Sequence, residues 1–238
     1  MKKKLLNVKI ISHGSQYSIE KAKACMNSAS KFDHDYLFDI SIFKSPGITT
    51  ARDEMQKYNL KWTWADNNTQ EMICPLSGLI QRPYIGANLE AKIGCFMGHF
   101  LLWKECVLTN SQMLILEHDS IFIAPLQKND YILCQINDPA GATRLGQWWS
   151  DKIKNRGTKG IHLKTEIPSD KNVPDGLAGN SAYIISPKIA KQMIDLTYYY
   201  GVWPNDALMC RQLLPNTLQE IYPFVTKVNQ QRSTSSLG

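Results

Sequence analysis

The chain has 238 residues and a formal net charge of +6, from 27 Lys and Arg residues against 21 Asp and Glu residues. Hydrophobic residues make up 43% and charged residues 20%, which excludes a disordered chain, a collagen-like chain and a coiled-coil rod. No apolar run approaches the ~20 residues of a membrane span. The excess positive charge lies in residues 1–9 and 144–164, so stable binding to nucleic acid across the whole surface is not expected.

We do not expect the amino-terminal lysines to introduce a signal peptide. Asn7 and Lys9 interrupt the apolar stretch before it reaches the ~7–15 residues that a signal peptide needs. We therefore expect a cytoplasmic protein. The 6 cysteines are scattered without a Cys-x-x-Cys pair, which indicates free, mostly packed thiols, with Cys95 in the core.

Apolar patterns in the first half of the chain predict strands that alternate with helices. In chain order these are a strand at 5–12, a helix at 18–32, a strand at 36–43, a short helix from Thr50, and a long helix at 89–109. The short helix begins at Thr50-Ala-Arg-Asp53, which resembles a capping box. A long irregular stretch separates the two helices, and a loop of that length is usually functional or partly structured.

The second half continues the alternation. Strands are predicted at 113–116, 121–123, 131–136 and 181–185, and helices at 187 onward and at 207–214. Residues 137–175 show little periodicity, which predicts a long loop region. The whole pattern predicts an α/β sheet sandwich in one domain at residues 1–228, followed by a flexible tail at 229–238.

The most informative segment is Met113-Leu-Ile-Leu-Glu-His-Asp119, where a buried strand runs into three polar side chains. In open α/β sheets, ligands bind at the carboxyl ends of strands. If the strand continues, Glu117 and Asp119 face one side and His118 the other. Two converging carboxylates would favour Mn²⁺ or Mg²⁺, with His118 as a third ligand, and such an ion can hold a nucleotide diphosphate. A solvated strand end is the alternative.

Several segments in this order resemble one known family. Ile93-Gly-Cys-Phe-Met-Gly-His99, Leu102-Trp-Lys104 and Leu114-Ile-Leu-Glu-His-Asp119 resemble the signature of glycosyltransferase family 25, which includes lipopolysaccharide and collagen galactosyl- and glucosyltransferases. Gly179-Asn-Ser-Ala-Tyr-Ile-Ile-Ser186 and Pro204-Asn-Asp206 are similar to later parts of the pattern. Residues 1–88 fit it only loosely.

Three positions depart from the family pattern. Lys92 replaces an acidic residue, Gly98 replaces a serine, and His118 replaces the middle acid of Glu-Asp-Asp. Glu117 and Asp119 still preserve a carboxylate-x-carboxylate frame. The Glu-His-Asp version resembles a virus-encoded branch of the family.

The resemblance implies a GT-A type fold, with a Rossmann-like mixed sheet flanked by helices. It also implies an inverting, metal-dependent transfer of a hexose, galactose or glucose, from a UDP-sugar to a hydroxyl of a glycan or another acceptor. Modified DNA is not excluded as that acceptor. Inversion needs a general base, for which Asp206 is the first candidate and Asp175 the reserve. The alternatives are that Asp206 caps the helix at 207–214 and that Asp175 is a turn residue.

Further polar and aromatic residues are candidates for binding the donor or the acceptor. The donor-site candidates are Ser12, His13, Arg52, His99, Asp138 and Asn180. His99 is equally compatible with buried packing, and Asp138 and Asn180 with turns. Trp62 and Trp64 are candidates for stacking on a base or sugar, and the basic loop at 144–164, with Trp148 and Trp149, for contacting the acceptor or the diphosphate.

Two other functions are compatible with the same residues. A metal-dependent phosphoesterase or nuclease could use Glu117, His118 and Asp119, although only 5 His occur in the chain. A non-catalytic sugar-binding protein could retain a degenerate transferase scaffold. The first predicts cleavage of nucleic acid without a nucleotide sugar, and the second predicts binding without turnover.

Overall fold

The computed structural model describes residues 3–65, 70–84, 88–141, 145–168, 172–177 and 179–229. Residues 230–238 of the predicted tail lie outside the described residues, as does Arg144 of the basic segment. Asn229, where the tail was predicted to begin, donates its backbone N–H to the carbonyl of Asp119 over 2.9 Å.

The strands and helices alternate through most of the chain, as the apolar patterns predict. The strands are β1 (Lys4–Ser12), β2 (Tyr36–Lys44), β3 (Met72–Ile73), β4 (Ile80–Gln81), β5 (Met113–Glu117), β6 (Ser120–Phe122), β7 (Leu133–Gln135), β8 (Gly160–Leu163), β9 (Ala182–Ile185), β10 (Leu218–Tyr222) and β11 (Thr226–Val228). The helices are α1 (Gln16–Ala29), α2 (Ala51–Lys57), α3 (Leu89–Leu108), α4 (Gly146–Asn155), α5 (Pro187–Tyr200) and α6 (Asn205–Leu208).

A seven-stranded sheet in the order β2-β1-β5-β9-β7-β10-β8 forms the centre of the fold. β1 runs parallel to β2 and β5, β9 runs antiparallel to β5 and β7, and β10 runs parallel to β7. The carboxyl ends of β1, β5 and β7 therefore lie at one edge, beside the start of β9. The register pairs Ile11 with Glu117, so the end of β1 lies directly beside the predicted acidic turn.

Helices cover both faces of the sheet because its strands alternate between two apolar clusters. Ile115 faces a cluster that includes residues of α2, α3 and α5, whereas Leu114 and Leu116 face a cluster that includes residues of α1. α3 is buried on most sides, with Phe96, Phe100 and five more hydrophobic side chains fully covered. The predicted mixed α/β sheet flanked by helices is confirmed.

Three local predictions were wrong. Residues 137–175 are not one loop, because α4 and β8 lie within them. The four-residue spacing of buried Trp149 and Ile153 is helical, but α4 is too short to produce a long periodic pattern. Thr50 forms no side-chain cap, since its hydroxyl bonds to Gly47 instead. The last predicted helix is shorter and earlier, at Asn205–Leu208.

Within the described ranges, no helix combines the length and apolarity needed to cross a membrane.

Candidate active site

The polar residues at the carboxyl end of β5 point in different directions. Glu117 faces α3, where its Oε1 lies 3.9 Å from the Cys95 thiol and 3.5 Å from His99 Nε2. His118 faces α1, and its ring meets those of His13 and Tyr17 edge-on at 5.3 and 6.2 Å. Glu117 is the last residue of β5, and His118 begins the turn that follows the strand.

Asp119 lies beyond the strand, in the turn between β5 and β6. The assumption of continued strand geometry therefore does not apply to it. Its side chain is nonetheless close enough to Glu117 to interact electrostatically. Burial, and next the Glu117 charge, raise the pKa of Asp119 to about 7, with the Lys21 charge opposing them. Asp119 Oδ1 is buried and has no hydrogen-bond partner among the residues that the structure describes, so this carboxylate suits an external ligand.

The end of β1 forms a tight turn beside this acidic segment. Ser12 is buried, and its hydroxyl contacts that of Ser18 at 3.0 Å and accepts a bond from the backbone N–H of Gly14 at 3.3 Å. His13 is exposed and follows it at the sheet edge. Burial lowers the pKas of both His13 and His118, which favours neutral rings that can act as ligands.

Asp206 approaches the same region from α6. It is the second residue of this helix, and Pro204 holds the N-cap position, so Asp206 is not the N-cap that the sequence offered as the alternative to a base. Its Oδ1 accepts a bond from the backbone N–H of Ala207 at 3.0 Å. Desolvation, followed by the Glu117 charge, raises the pKa of Asp206 to about 6. A close backbone contact fixes its position, because a Cβ added to Gly176 would lie 1.9 Å from the Asp206 carbonyl oxygen.

Asp175, the reserve base, lies in an ion-pair cluster. Its carboxylate binds Lys164, whose side chain is fully buried, and accepts a bond from Arg211 Nε at 2.9 Å. Its backbone N–H donates to Gln212 over 3.0 Å. These contacts hold the segment that leads into Gly176, so Asp175 supports the backbone on which Asp206 rests.

Two residues that sequence reasoning did not assign to the site, Tyr84 and Lys92, lie around Asp206. The Asp206 charge, and then burial, raise the pKa of Tyr84 well above its usual value. Lys92 Nζ lies 3.7 Å from the centre of the Tyr84 ring. Desolvation lowers the pKa of Lys92 to about 8, against the opposing effect of Asp206. A signal was present, since Lys92, Cys95 and His99 share one face of α3 at helical spacing.

Cys95 corrects a further prediction. Its side chain is solvent-accessible and not part of the core. Desolvation and the charges of Glu117, Asp206 and Asp119 nevertheless raise its pKa well above the usual thiol value. We take Cys95 as the floor of a cleft, because its side chain is accessible and its sulfur lies 3.9 Å from both Glu117 Oε1 and Asn205 Oδ1. We call the residues around this floor, Tyr84, Lys92, Cys95, Glu117, Asn205 and Asp206, the acidic cleft.

The remaining donor-site candidates have partners within the protein. Arg52 pairs with Glu90 over 2.6 Å on the surface. Asp138 lies at the carboxyl edge of the sheet after β7, where it accepts a bond from the backbone N–H of Ala140 at 3.0 Å and pairs with Lys154 at 3.3 Å. Asn180 is buried near the start of β9, where its Nδ2 lies 3.2 Å from the sulfur of Met209, and its Oδ1 has no hydrogen-bond partner among the described residues.

The predicted binding role of the basic segment was based on a loop that does not exist. Trp149 is buried and donates its ring N–H to Glu220 over 2.8 Å, so it offers no platform for a sugar. Arg156 pairs with the same Glu220 at 2.8 Å. Trp64 is also buried and donates to the carbonyl of Arg82 over 2.9 Å.

Two sets of donor atoms suit a cation at this edge. The carboxylates of Glu117 and Asp119, one with an unpartnered oxygen, suit a hard ion such as Mn²⁺ or Mg²⁺. Among the described residues, the potential ligand atoms of Cys95, His99 and Glu117 also lie within 4.8 Å of one another. Glu117 belongs to both sets.

The comparison with protein families gives one match. The sequence model of glycosyltransferase family 25 (LPS biosynthesis protein) matches residues 56–209, which is well over half of the chain. No curated protein matches the chain.

Solved structures give weaker similarities. Glycosyltransferase GlyE of Streptococcus pneumoniae TIGR4 is 12% identical, with a TM-score of 0.40 over 93% of this chain and 46% of GlyE. Galactosyltransferase LgtC, in complex with donor and acceptor sugar analogues, is 8% identical, with a TM-score of 0.41 over 90% of this chain and 73% of LgtC. Mouse xyloside xylosyltransferase 1 is 8% identical, with a TM-score of 0.40 over 90% of this chain and 84% of that protein. The chain thus spans less than half the length of GlyE.

The family match covers the acidic turn, the long helix α3 and Asp206, which are the elements that form the cleft. On this evidence, the chain belongs to glycosyltransferase family 25.

Proposed function

We propose that this chain is a metal-dependent, inverting glycosyltransferase that moves a hexose, galactose or glucose, from a UDP-sugar to a hydroxyl of a glycan or another acceptor. The observation that carries the proposal is the position of Glu117 between two other carboxylates in a family 25 chain: the Glu117 charge raises the pKas of both Asp119 and Asp206. Structural residues seldom hold several carboxylates in so unfavourable an arrangement.

Asp206 is the proposed general base. It would accept the proton of the acceptor hydroxyl as that oxygen attacks the anomeric carbon of the donor sugar. A carboxylate with a pKa of about 6 is a stronger base than an ordinary aspartate, whose value is 3.8, and is still ionised at neutral pH. Gly176 lets the backbone of Asp206 pack closely, which limits the movement of this base.

Glu117 and Asp119 are the proposed metal ligands, with His118 as the third candidate. When bound, Mn²⁺ or Mg²⁺ would neutralise the negative charge that develops on the leaving nucleotide diphosphate. The residues themselves orient the site: Glu117 projects toward α3, and Asp119 stays buried beside α1. Ser12 and His13, at the end of the neighbouring strand, are proposed to lie against the donor nucleotide.

The test is release of nucleotide from a panel of nucleotide sugars with Mn²⁺, with and without a chelator. We expect release from a UDP-hexose, its loss with chelator, and its loss in Asp119→Ala. Failure of every donor, together with wild-type behaviour of Asp119→Ala, would reject the proposal. Cleavage of nucleic acid without a nucleotide sugar would instead identify a phosphoesterase, and donor binding without turnover a non-catalytic protein. The cytoplasmic location and the viral branch stay predictions.

A further inference from the structure

We propose that His99 is a positioning residue, and that a hydrogen-bond chain of fixed direction, from Trp103 through Tyr183 and His99, orients the carboxylate of Glu117. The inference rests on the proposed function only in treating Glu117 as a metal ligand. The chain of contacts itself stands on geometry. Trp103 Nε1 lies 2.8 Å from Tyr183 Oη, and Tyr183 Oη lies 2.9 Å from His99 Nδ1.

The direction of the chain follows from its first member. An indole N–H can only donate, so Tyr183 Oη accepts from Trp103. The Tyr183 hydroxyl has one proton to donate, and His99 Nδ1 is the acceptor that the described contacts provide for it. His99 Nδ1 is then unprotonated, and the neutral ring carries its proton on Nε2.

The protonated nitrogen faces the acidic cleft. His99 Nε2 is fully buried, has no hydrogen-bond partner in the described part of the chain, and lies 3.5 Å from Glu117 Oε1. This distance exceeds that of an ordinary N–H···O bond, and a shift of a few tenths of an ångström in the Glu117 side chain would form one. Because a buried donor without a partner is unfavourable, His99 pulls the carboxylate toward the α3 side of the cleft.

Buried surroundings hold the three residues of the hydrogen-bond chain rigidly. Trp103, Tyr183 and His99 are all 0% exposed, so water cannot replace a missing member. The rings of His99 and Tyr183 stack with centres 5.6 Å apart and planes inclined by 24°. Groups that bond to metal ligands in this way commonly change metal affinity or activity by 10–100-fold when they are removed.

The direction of the hydrogen-bond chain also argues against His99 as a metal ligand together with Cys95 and Glu117. A metal bound at Nε2 would need the lone pair of that nitrogen, which would move the ring proton to Nδ1. The Tyr183 hydroxyl would then face a second donor and lose its acceptor inside the core. The hydrogen-bond chain therefore favours His99 as a hydrogen-bond donor to Glu117.

The first experiment measures the His99 tautomer in the metal-free full chain by long-range ¹H–¹⁵N NMR. We expect the proton on Nε2 in the wild type, and a shift of population toward Nδ1 in Tyr183→Phe, which removes only the hydroxyl. A proton on Nδ1 in the wild type would overturn the proposal. The measurement uses no donor, acceptor or metal. Failure of sugar transfer would therefore count against the proposed function and not against the proposed hydrogen-bond chain.

The second experiment measures the affinity for Mn²⁺ by calorimetry. Tyr183→Phe should weaken binding by about 10-fold or more, whereas Tyr198→Phe, an exposed tyrosine that packs on α3 through Phe100, should leave it unchanged. Wild-type affinity in folded Tyr183→Phe would contradict the proposal. If that variant does not fold, His99→Gln, whose amide can donate to Glu117, should bind Mn²⁺ more tightly than His99→Leu. Equal affinities in those two variants would also overturn it.

Discussion

Glu117 and Asp206 lie on two sides of the same cleft floor, where the Glu117 charge adds to desolvation in raising the pKa of Asp206 to about 6. Cys95 marks that floor, since its sulfur is 3.9 Å from both Glu117 Oε1 and Asn205 Oδ1. One carboxylate comes from the end of a central strand and the other from a short helix near the carboxyl end of the chain. Their proximity therefore depends on the whole fold.

The first prediction concerns the pH dependence of transfer. Because Asp206 must be ionised to accept a proton, kcat/KM should fall as the pH drops through about 6. Asp206→Asn should retain donor binding and lose transfer by at least about 100-fold. The measurement is a pH–rate profile, with donor affinity measured separately by calorimetry. Transfer by Asp206→Asn at the wild-type rate would remove this residue as the base.

The second prediction concerns stability without metal. The folded-state pKa of Asp119, about 7, lies above the ordinary value of 3.8. Between these values the folded protein binds more protons than the unfolded chain, so the free energy of unfolding should fall as the pH rises from about 4 to 7. Asp119→Asn should remove this decrease in the free energy of unfolding. It should therefore stabilise the metal-free protein at pH 8 by up to roughly 4 kcal/mol.

Urea unfolding at pH 5 and pH 8 measures this effect. Asp195→Asn is the control, because Asp195 is an exposed aspartate that pairs with Lys191 in the preceding turn of α5. It should change the free energy of unfolding by less than about 1 kcal/mol at either pH. A less stable Asp119→Asn protein at pH 8 would mean that the buried carboxylate is already well satisfied.

The third prediction tests the backbone contact beneath the base. Gly176→Ala places a Cβ against the Asp206 carbonyl oxygen and must displace α6 or the segment before it. We expect kcat to fall by about 10–100-fold, as for other small displacements of catalytic groups, with Mn²⁺ affinity unchanged. Gly47→Ala is the matched control, since no atom lies within 4 Å of its added Cβ. Equal activities of the two variants would show that the contact does not position Asp206.

The fourth prediction separates Asp175 from Asp206. Asp175→Asn leaves the buried Lys164 without its carboxylate partner, which should destabilise the fold by about 3–5 kcal/mol. Per folded molecule, the pH profile of transfer should stay that of the wild type, because Asp175 supports the backbone and takes no proton. Thermal unfolding and the pH profile together check this. Loss of the acidic limb of that profile in the folded variant would make Asp175 the base.

Local patterns explain how much of the fold could be predicted. The apolar runs in β1 and β5 and the long pattern of α3 are strong signals, and each element ends within one residue of its expected position. α4 was missed because its buried face consists of little more than Trp149 and Ile153. Basic residues in and just after α4 pair with acids distant in sequence, Lys154 with Asp138 and Arg156 with Glu220, and charge composition cannot indicate such pairs.

The candidate site, like the fold, could be predicted from the sequence only in part. Glu117 and Asp119 could be found because they follow a buried strand directly. The turn that carries Asp119 breaks the alternation, so the direction of its side chain could not be predicted. Tyr84 enters the cleft from an irregular segment, where no periodicity indicates which side chains point inward. Cys95 was assigned to the core because cysteines usually are buried, and only the three-dimensional fold reveals the opening above it.

The most direct test of the central claim, that Glu117 and Asp119 hold a metal which binds the nucleotide diphosphate, is a calorimetric titration of UDP. It would be performed on the full chain with Mn²⁺, with chelator, and on Asp119→Asn with Mn²⁺. The account predicts binding of UDP to the wild type with Mn²⁺, and at least about 10-fold weaker binding in the other two titrations. Equal affinity for UDP in all three would contradict it.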